Sequence, residues 1–209
     1  MEKLSIDLNK NINLIKKTDE KLYDTNIQNS VAKEYVYDFD IVNQFGIAKK
    51  KEELDNNILR YVNDESIEKT AIFVPMDYYH VSNNDENMFT FGIGSCCGLF
   101  ISNESISFLM HISPKFSAEK IFSLLKYLNL SNCGEVYIFP GSACQFGKGG
   151  NLFDYQQLAN KLEFLNNNIY IRTFNSISGS VYFLENKLIV DDGEQICIKD
   201  FKKSSIIRK

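Results

Sequence analysis

Residues Thr90 to Pro114 read TFGIGSCCGLFISNESISFLMHISP. Two apolar runs, CGLFIS and SISFLMHI, flank the polar pair Asn103–Glu104. Such runs on either side of a short polar turn predict an antiparallel hairpin. Paired residues across a hairpin keep a constant index sum, and Ser102 with Ser105 shares its sum with Cys96 and His111. In that register the thiol and the imidazole lie directly opposite on one face, with Cβ atoms about 5 Å apart. A slip of one residue would send the two side chains to opposite faces. Cys97 then points away from His111 and belongs to the core.

These residue types suit nucleophilic chemistry. A free thiol titrates near about 8.5 and is mostly protonated at neutral pH. An adjacent imidazolium stabilises the thiolate and later returns a proton to a leaving amine. The bend through Gly92, Gly94 and Ser95 turns backbone N–H groups toward the nucleophile, where an oxyanion needs donors. The plain alternative is that a cysteine in an apolar strand is a small core residue.

The flanking sequence predicts the rest of the domain. From Thr70 on, TAIFVPM, MFTFGI, GEVYIF, IYIRTF, SVYFLEN, KLIVDD and QICIKDF read as strands. Ser117 is placed to cap a helix bearing Ile121, Leu124, Leu125 and Leu128, and Asp154 with Gln157 to cap one bearing Leu158, Leu162 and Leu165. Many strands with two or three helices make an α+β domain. Before Thr70, Leu4 to Leu8 and Tyr35 to Ile41 alternate as strands do, and Lys50 to Val62 sets Leu54, Ile58 and Tyr61 on one helical face. Residues 1–69 are therefore expected to be an N-terminal extension packed on a domain spanning 70–209. DYYHVSNNDEN is expected to be a loop, with Tyr78, Tyr79 and His80 as recognition residues for a protein substrate.

Composition excludes several classes. The 209 residues carry a net charge of −4, which speaks against nucleic-acid binding; only the tail from Lys202 to Lys209 is basic. No apolar run is long enough to span a membrane, and the N-terminus lacks the apolar stretch of a classical signal peptide. Five cysteines without framework spacing fit a reduced compartment. GSACQFGKGG departs from a P-loop in spacing and lacks the Ser or Thr after Lys148. Cys96, Cys97, His111 and Cys144 contain no C-x-x-C pair, so no metal and no cofactor are expected.

The stretch also resembles a family motif. Thr90-Phe91-Gly92-Ile93-Gly94-Ser95-Cys96, followed by a strand and by His111 ahead of Pro114, is similar to the T-x-G-x-G-S-C pattern of the CheD-like, cytotoxic necrotizing factor-like cysteine glutamine deamidases. The layout looks most like the Burkholderia lethal factor type of toxin. VYIFPGSA and IYIRTFNSISGSVYF look like later parts of the same fold. The resemblance implies a β-sandwich core with Cys96 as nucleophile, His111 as base and acid, Thr90 orienting the imidazole, and Gly94 and Ser95 as backbone support. It implies a monomeric protein-glutamine deamidase, converting Gln to Glu on a protein, with a host protein favoured as target. The enzyme would be made in a bacterial cytoplasm and act in a host cytosol if it is an effector. Deamidation of chemoreceptors, or a non-catalytic binding module on the same fold, are the alternatives.

Overall fold

The computed structural model describes residues 43–59, 69–83, 86–103, 105–132, 134–144, 153–165, 167–176, 178–193 and 195–201, all within one compact unit. The expected strands at Leu4–Leu8 and Tyr35–Ile41, the basic tail, and the Lys148 part of the P-loop-like segment lie outside these residues. In chain order the elements are β1 (Gly46–Ile47), β2 (Lys51–Glu53), α1 (Asn56–Leu59), β3 (Thr70–Phe73), β4 (Tyr78–Ser82), β5 (Met88–Ile93), β6 (Cys97–Ser102) and β7 (Ser107–Ile112). They continue with α2 (Ala118–Tyr127), β8 (Glu135–Pro140), α3 (Tyr155–Glu163), β9 (Asn168–Ile171), β10 (Gly179–Leu184), β11 (Lys187–Asp191) and β12 (Ile196–Asp200).

Every residue of β6 and β7 is buried. A strand can be buried on both faces only when each face has a covering layer. The two strands sit at the centre of one six-stranded sheet, ordered β1-β4-β7-β6-β8-β9. Their outward residues Leu99, Ile101, Phe108, Met110 and Ile112 pack under Ile121, Leu124 and Leu125 of α2 and Leu158 and Leu162 of α3. Their inward residues Phe100 and Leu109 meet Met88, Val181, Phe183 and Val190 of the second sheet, ordered β12-β11-β10-β5-β3-β2. The far face of that sheet is covered by Leu54 and by Ile58 of α1, which pack on Phe89, Tyr182 and Ile189. The fold is thus an α+β sandwich of two six-stranded sheets with helices on the outside. Among the described residues no helix is long and apolar enough to cross a membrane.

The helix starts follow the capping signals. Ser117 accepts from the Lys120 amide, and Asp154 from those of Gln156 and Gln157. Two expectations before residue 83 change. The region from Lys50 is a strand, β2, followed by the one-turn helix α1, because Asp55 captures the Asn57 amide and starts the turn there. Leu54 and Ile58 are still the buried residues, and Tyr61 lies outside the described residues. YYHVS is β4, paired with β7 and with β1. The sheets therefore begin before Thr70: β1 and β2 each occupy an edge.

The hairpin register also differs from the expected one. Ser102 pairs with Ser107, Gly98 with His111 and Cys97 with Ile112. Asn103 and Glu104 lack the glycine that two-residue hairpin turns favour. Instead the Asn103 carboxamide accepts from the amides of both Ser105 and Ile106 at 2.8 Å, and the Asn103 N–H donates to Ile106 O. This side-chain-closed turn draws Ile106 into the loop and moves the pairing by two residues. A shift of two preserves every side chain's face. Replacing Asn103 with Ala removes the acceptor for both amides; a loss of about 1–2 kcal/mol is expected, measured as a lower urea midpoint with an unchanged slope.

Candidate active site

The strand β5 carries Thr90 on its inner face, and β7 carries His111 on its own. They meet across the layer between the sheets, where Thr90 Oγ1 and His111 Nδ1 lie 2.8 Å apart. Thr90 is fully buried and His111 is 4% exposed. His111 Nε2 is buried without a hydrogen-bond partner. If Nδ1 carries the proton and donates to Thr90, Nε2 presents a lone pair.

Cys96 lies at the crossing from one sheet to the other. β5 ends in the second sheet, β6 begins in the first, and Gly94 to Cys96 form the link. Gly92 adopts φ +80, which favours glycine. The Gly94 N–H donates to Gly92 O, and Gly94 O accepts from the Ala143 N–H. The Cys96 carbonyl accepts from the Gly141 N–H at 2.9 Å. A Cβ on Gly141 would stand 2.0 Å from Gly94 O, so this close approach needs glycine. The link is therefore held from the β8 side by the turn from Gly141 to Cys144.

Cys96 is not directly opposite His111, because Gly98 takes that place. It falls two residues before Gly98, on the side of the sheet that faces the inter-sheet core. Cys97 packs on the other side, among the residues under α2 and α3. The expected thiol–imidazole hydrogen bond is not formed. The Cys96 thiol instead contacts Met76 Sδ at 3.6 Å.

Electrostatics keep both groups neutral. Burial pushes the Cys96 thiol up, opposed by a hydrogen bond with Ser95 and reinforced by the Asp77 charge. Burial lowers the His111 imidazole to about 4, although Asp77 works in the other direction. At rest both the thiol and the imidazole are neutral, in place of the ion pair expected from residue types alone. Burial drives the Cys97 thiol well above its usual range, which suits a core cysteine. For Asp77, burial raises the carboxyl, but hydrogen bonds with Lys115 and Ser113 and the Lys115 charge outweigh it, and the net direction is down.

The backbone donors differ in part from expectation. The Gly94 amide is already engaged by Gly92 O. Among the described residues, the amides of Ser95 and Cys96 meet no acceptor. Those two, and not Gly94, can receive negative charge.

The expected recognition residues separate. Tyr79 is 3% exposed and belongs to the core under the helices. His80 is buried, with Nδ1 2.9 Å from Ala48 O and Nε2 2.9 Å from a Glu86 oxygen. As neighbours in a strand they point to opposite faces, and each face is covered, Tyr79 by the helix-side core and His80 by its bonds to Ala48 and Glu86, so neither offers a recognition surface. Tyr78 alone stays exposed; its ring lies against Gly46. The sequence pattern singles out neither Met76 nor Asp77 as a site residue, and Gly141 only as the start of the P-loop-like segment. Asp77 did hold a signal, since aspartate favours turns and tolerates their left-handed position.

Among the described residues no group of three or more His, Cys, Asp or Glu side chains could hold a metal ion. No protein-family model matches the chain, and no curated protein matches it.

The depressed imidazole has a consequence for stability. Between pH 4 and 6.5 the unfolded chain binds a proton that the folded ring refuses. Stability therefore rises with pH through this window and is lost on acidification toward 4. The gap corresponds to about 3 kcal/mol at full protonation of the unfolded ring. In His111→Gln the difference in urea midpoint between pH 6.5 and pH 4 should shrink accordingly; an undiminished difference would show that other groups carry the acid sensitivity.

Proposed function

We propose that the protein is a cysteine-dependent protein glutamine deamidase of the CheD-like, cytotoxic necrotizing factor-like type, closest in layout to the lethal-factor toxins. The observation that carries this reading is the buried Thr90–His111 hydrogen bond, with Cys96 on the same face two residues from the position across from the ring. The Thr90-x-Gly-x-Gly-Ser-Cys96 motif and a later His111 supply the same three side chains in the family's order. The sandwich and the unengaged Ser95 and Cys96 amides support it as well.

The chemistry runs from the neutral pair. Thr90 accepts from Nδ1–H and so holds the lone pair on Nε2. A glutamine carboxamide enters beside the thiol. His111 Nε2 takes the thiol proton as sulfur attacks the amide carbon, and the Ser95 and Cys96 amides receive the oxyanion, each donor being worth about 3 kcal/mol at the transition state. Nε2–H then gives its proton to the departing nitrogen, and ammonia leaves a thioester. Water, deprotonated by the same nitrogen, releases Glu and restores the thiol. An imidazole near 4 is a weak base in the resting site. Substrate binding therefore has to bring the thiol to the ring before the proton moves. The partner is a protein bearing the target glutamine, with a host protein favoured.

Incubation of the protein with cell-lysate proteins, read by mass spectrometry, should reveal Gln-to-Glu conversions. Cys96→Ser and His111→Ala should each abolish them with the fold retained by circular dichroism. Thr90→Ala should lower the rate about a hundredfold, the scale of a group that positions a general base. Cys97→Ser should retain activity. Full activity in Cys96→Ser would refute the assignment.

A further inference from the structure

Met76 is the outermost contact of the proposed nucleophile. Its sulfur is 3.6 Å from the Cys96 thiol. Met76 is 53% exposed, and Cys96 only 6%. An exposed methionine contributes little to a core, yet this one is held in place through its backbone. Tyr78 N–H donates to Pro75 O, closing a turn. Asp77, the third residue of that turn, has φ 68, a left-handed conformation that aspartate tolerates better than most side chains. The Asp77 N–H donates to His111 O at 2.7 Å. Its carboxylate accepts from the Ser113 amide at 3.1 Å and pairs with the Lys115 ammonium at 2.5 Å. The turn is thus tied to β7, the strand that carries the imidazole. The backbone next to Met76 is held to the strand of His111, and the side chain it carries is unbranched.

We propose that Met76 is a specificity-determining residue that covers Cys96 at rest and, once displaced, packs along the methylenes of an entering unbranched amide side chain. The glutamine part of this inference rests on the deamidase reading; the cover does not. A thioether is flexible and polarisable, and adapts to a methylene chain better than a branched side chain does. Glutamine has two methylenes before its carboxamide, and asparagine has one. With Met76 lining the approach, the shorter side chain makes one fewer methylene contact and its carboxamide falls short of the sulfur. A single methylene in an apolar slot is worth roughly ten- to a hundredfold in discrimination.

Two readouts on Met76→Ala and Met76→Leu test this. The first is the alkylation rate of Cys96 by iodoacetamide, followed by peptide mass spectrometry, with the partly exposed Cys197 as internal reference. Met76→Ala should accelerate Cys96 several-fold and leave Cys197 unchanged, and Met76→Leu should restore the slow rate. The second is the ratio of Gln-to-Glu over Asn-to-Asp conversions in lysate proteins, corrected with Cys96→Ser. That ratio should fall roughly tenfold in Met76→Ala and recover only in part in the branched Met76→Leu. Equal alkylation rates in wild type and Met76→Ala overturn the cover. Faster alkylation with an unchanged ratio overturns the selectivity. Faster alkylation in a protein that deamidates nothing overturns the deamidase reading and the glutamine selectivity together, and leaves the cover standing.

Discussion

The hydrogen bond between Thr90 Oγ1 and His111 Nδ1 ties the site to the fold. Thr90 sits on the second sheet and His111 on the first, so the bond exists only if the sandwich closes in register. Around it the inter-sheet core is apolar, with Phe100, Leu109, Met88 and Phe183. A polar pair in such surroundings is tolerated because each partner satisfies the other. The remaining ring nitrogen is left unsatisfied. A buried polar atom without a partner costs stability, and such an atom on the same sheet face as Cys96 is the kind of departure that a functional site tolerates.

The same burial that aligns the groups also silences them. Removing water favours the uncharged form of both thiol and imidazole, and here it does so strongly enough to place the imidazole near 4. Asp77 is tied to β7 and acts on both groups, pulling the imidazole up and pushing the thiol up. Its own charge is partly balanced by Lys115. The resting protein therefore protects its sulfur twice, by neutrality and by the Met76 thioether. A thiolate would be open to oxidants and electrophiles in a way that this thiol is not.

Much of the architecture is legible from residue patterns. β5 and β6 match their apolar runs residue for residue, and Ser117 and Asp154 cap the helices where their side chains can reach first-turn amides. Side-chain faces are also legible, because period 2 survives a two-residue shift: Cys96 and Cys97 separate onto opposite faces as expected. The pairing itself is not legible from run lengths. It depends on Asn103 closing a turn with its side chain, a contact that no alternation pattern encodes. β4 is hidden by its Asp and Asn neighbours, which read as loop, and its run of buried residues, Tyr79 and His80 side by side, shows no alternation to reveal it. The Gly141–Gly94 approach and the Met76–Cys96 contact join segments far apart in the chain. Local propensity carries no information on either.

The central claim is that Thr90 holds His111 as the Nδ1–H tautomer, with the Nε2 lone pair available to the Cys96 thiol. Nitrogen-15 NMR of the two histidine rings, resolved by a His80→Asn variant, tests this directly. The account predicts that His111 shows a protonated Nδ1 and an unprotonated Nε2 across neutral pH, with a titration midpoint near 4; in Thr90→Ala the tautomer preference is lost while burial keeps the midpoint low. A protonated Nε2 at neutral pH, or a His111 midpoint near 6.5 in the wild-type protein, would contradict it.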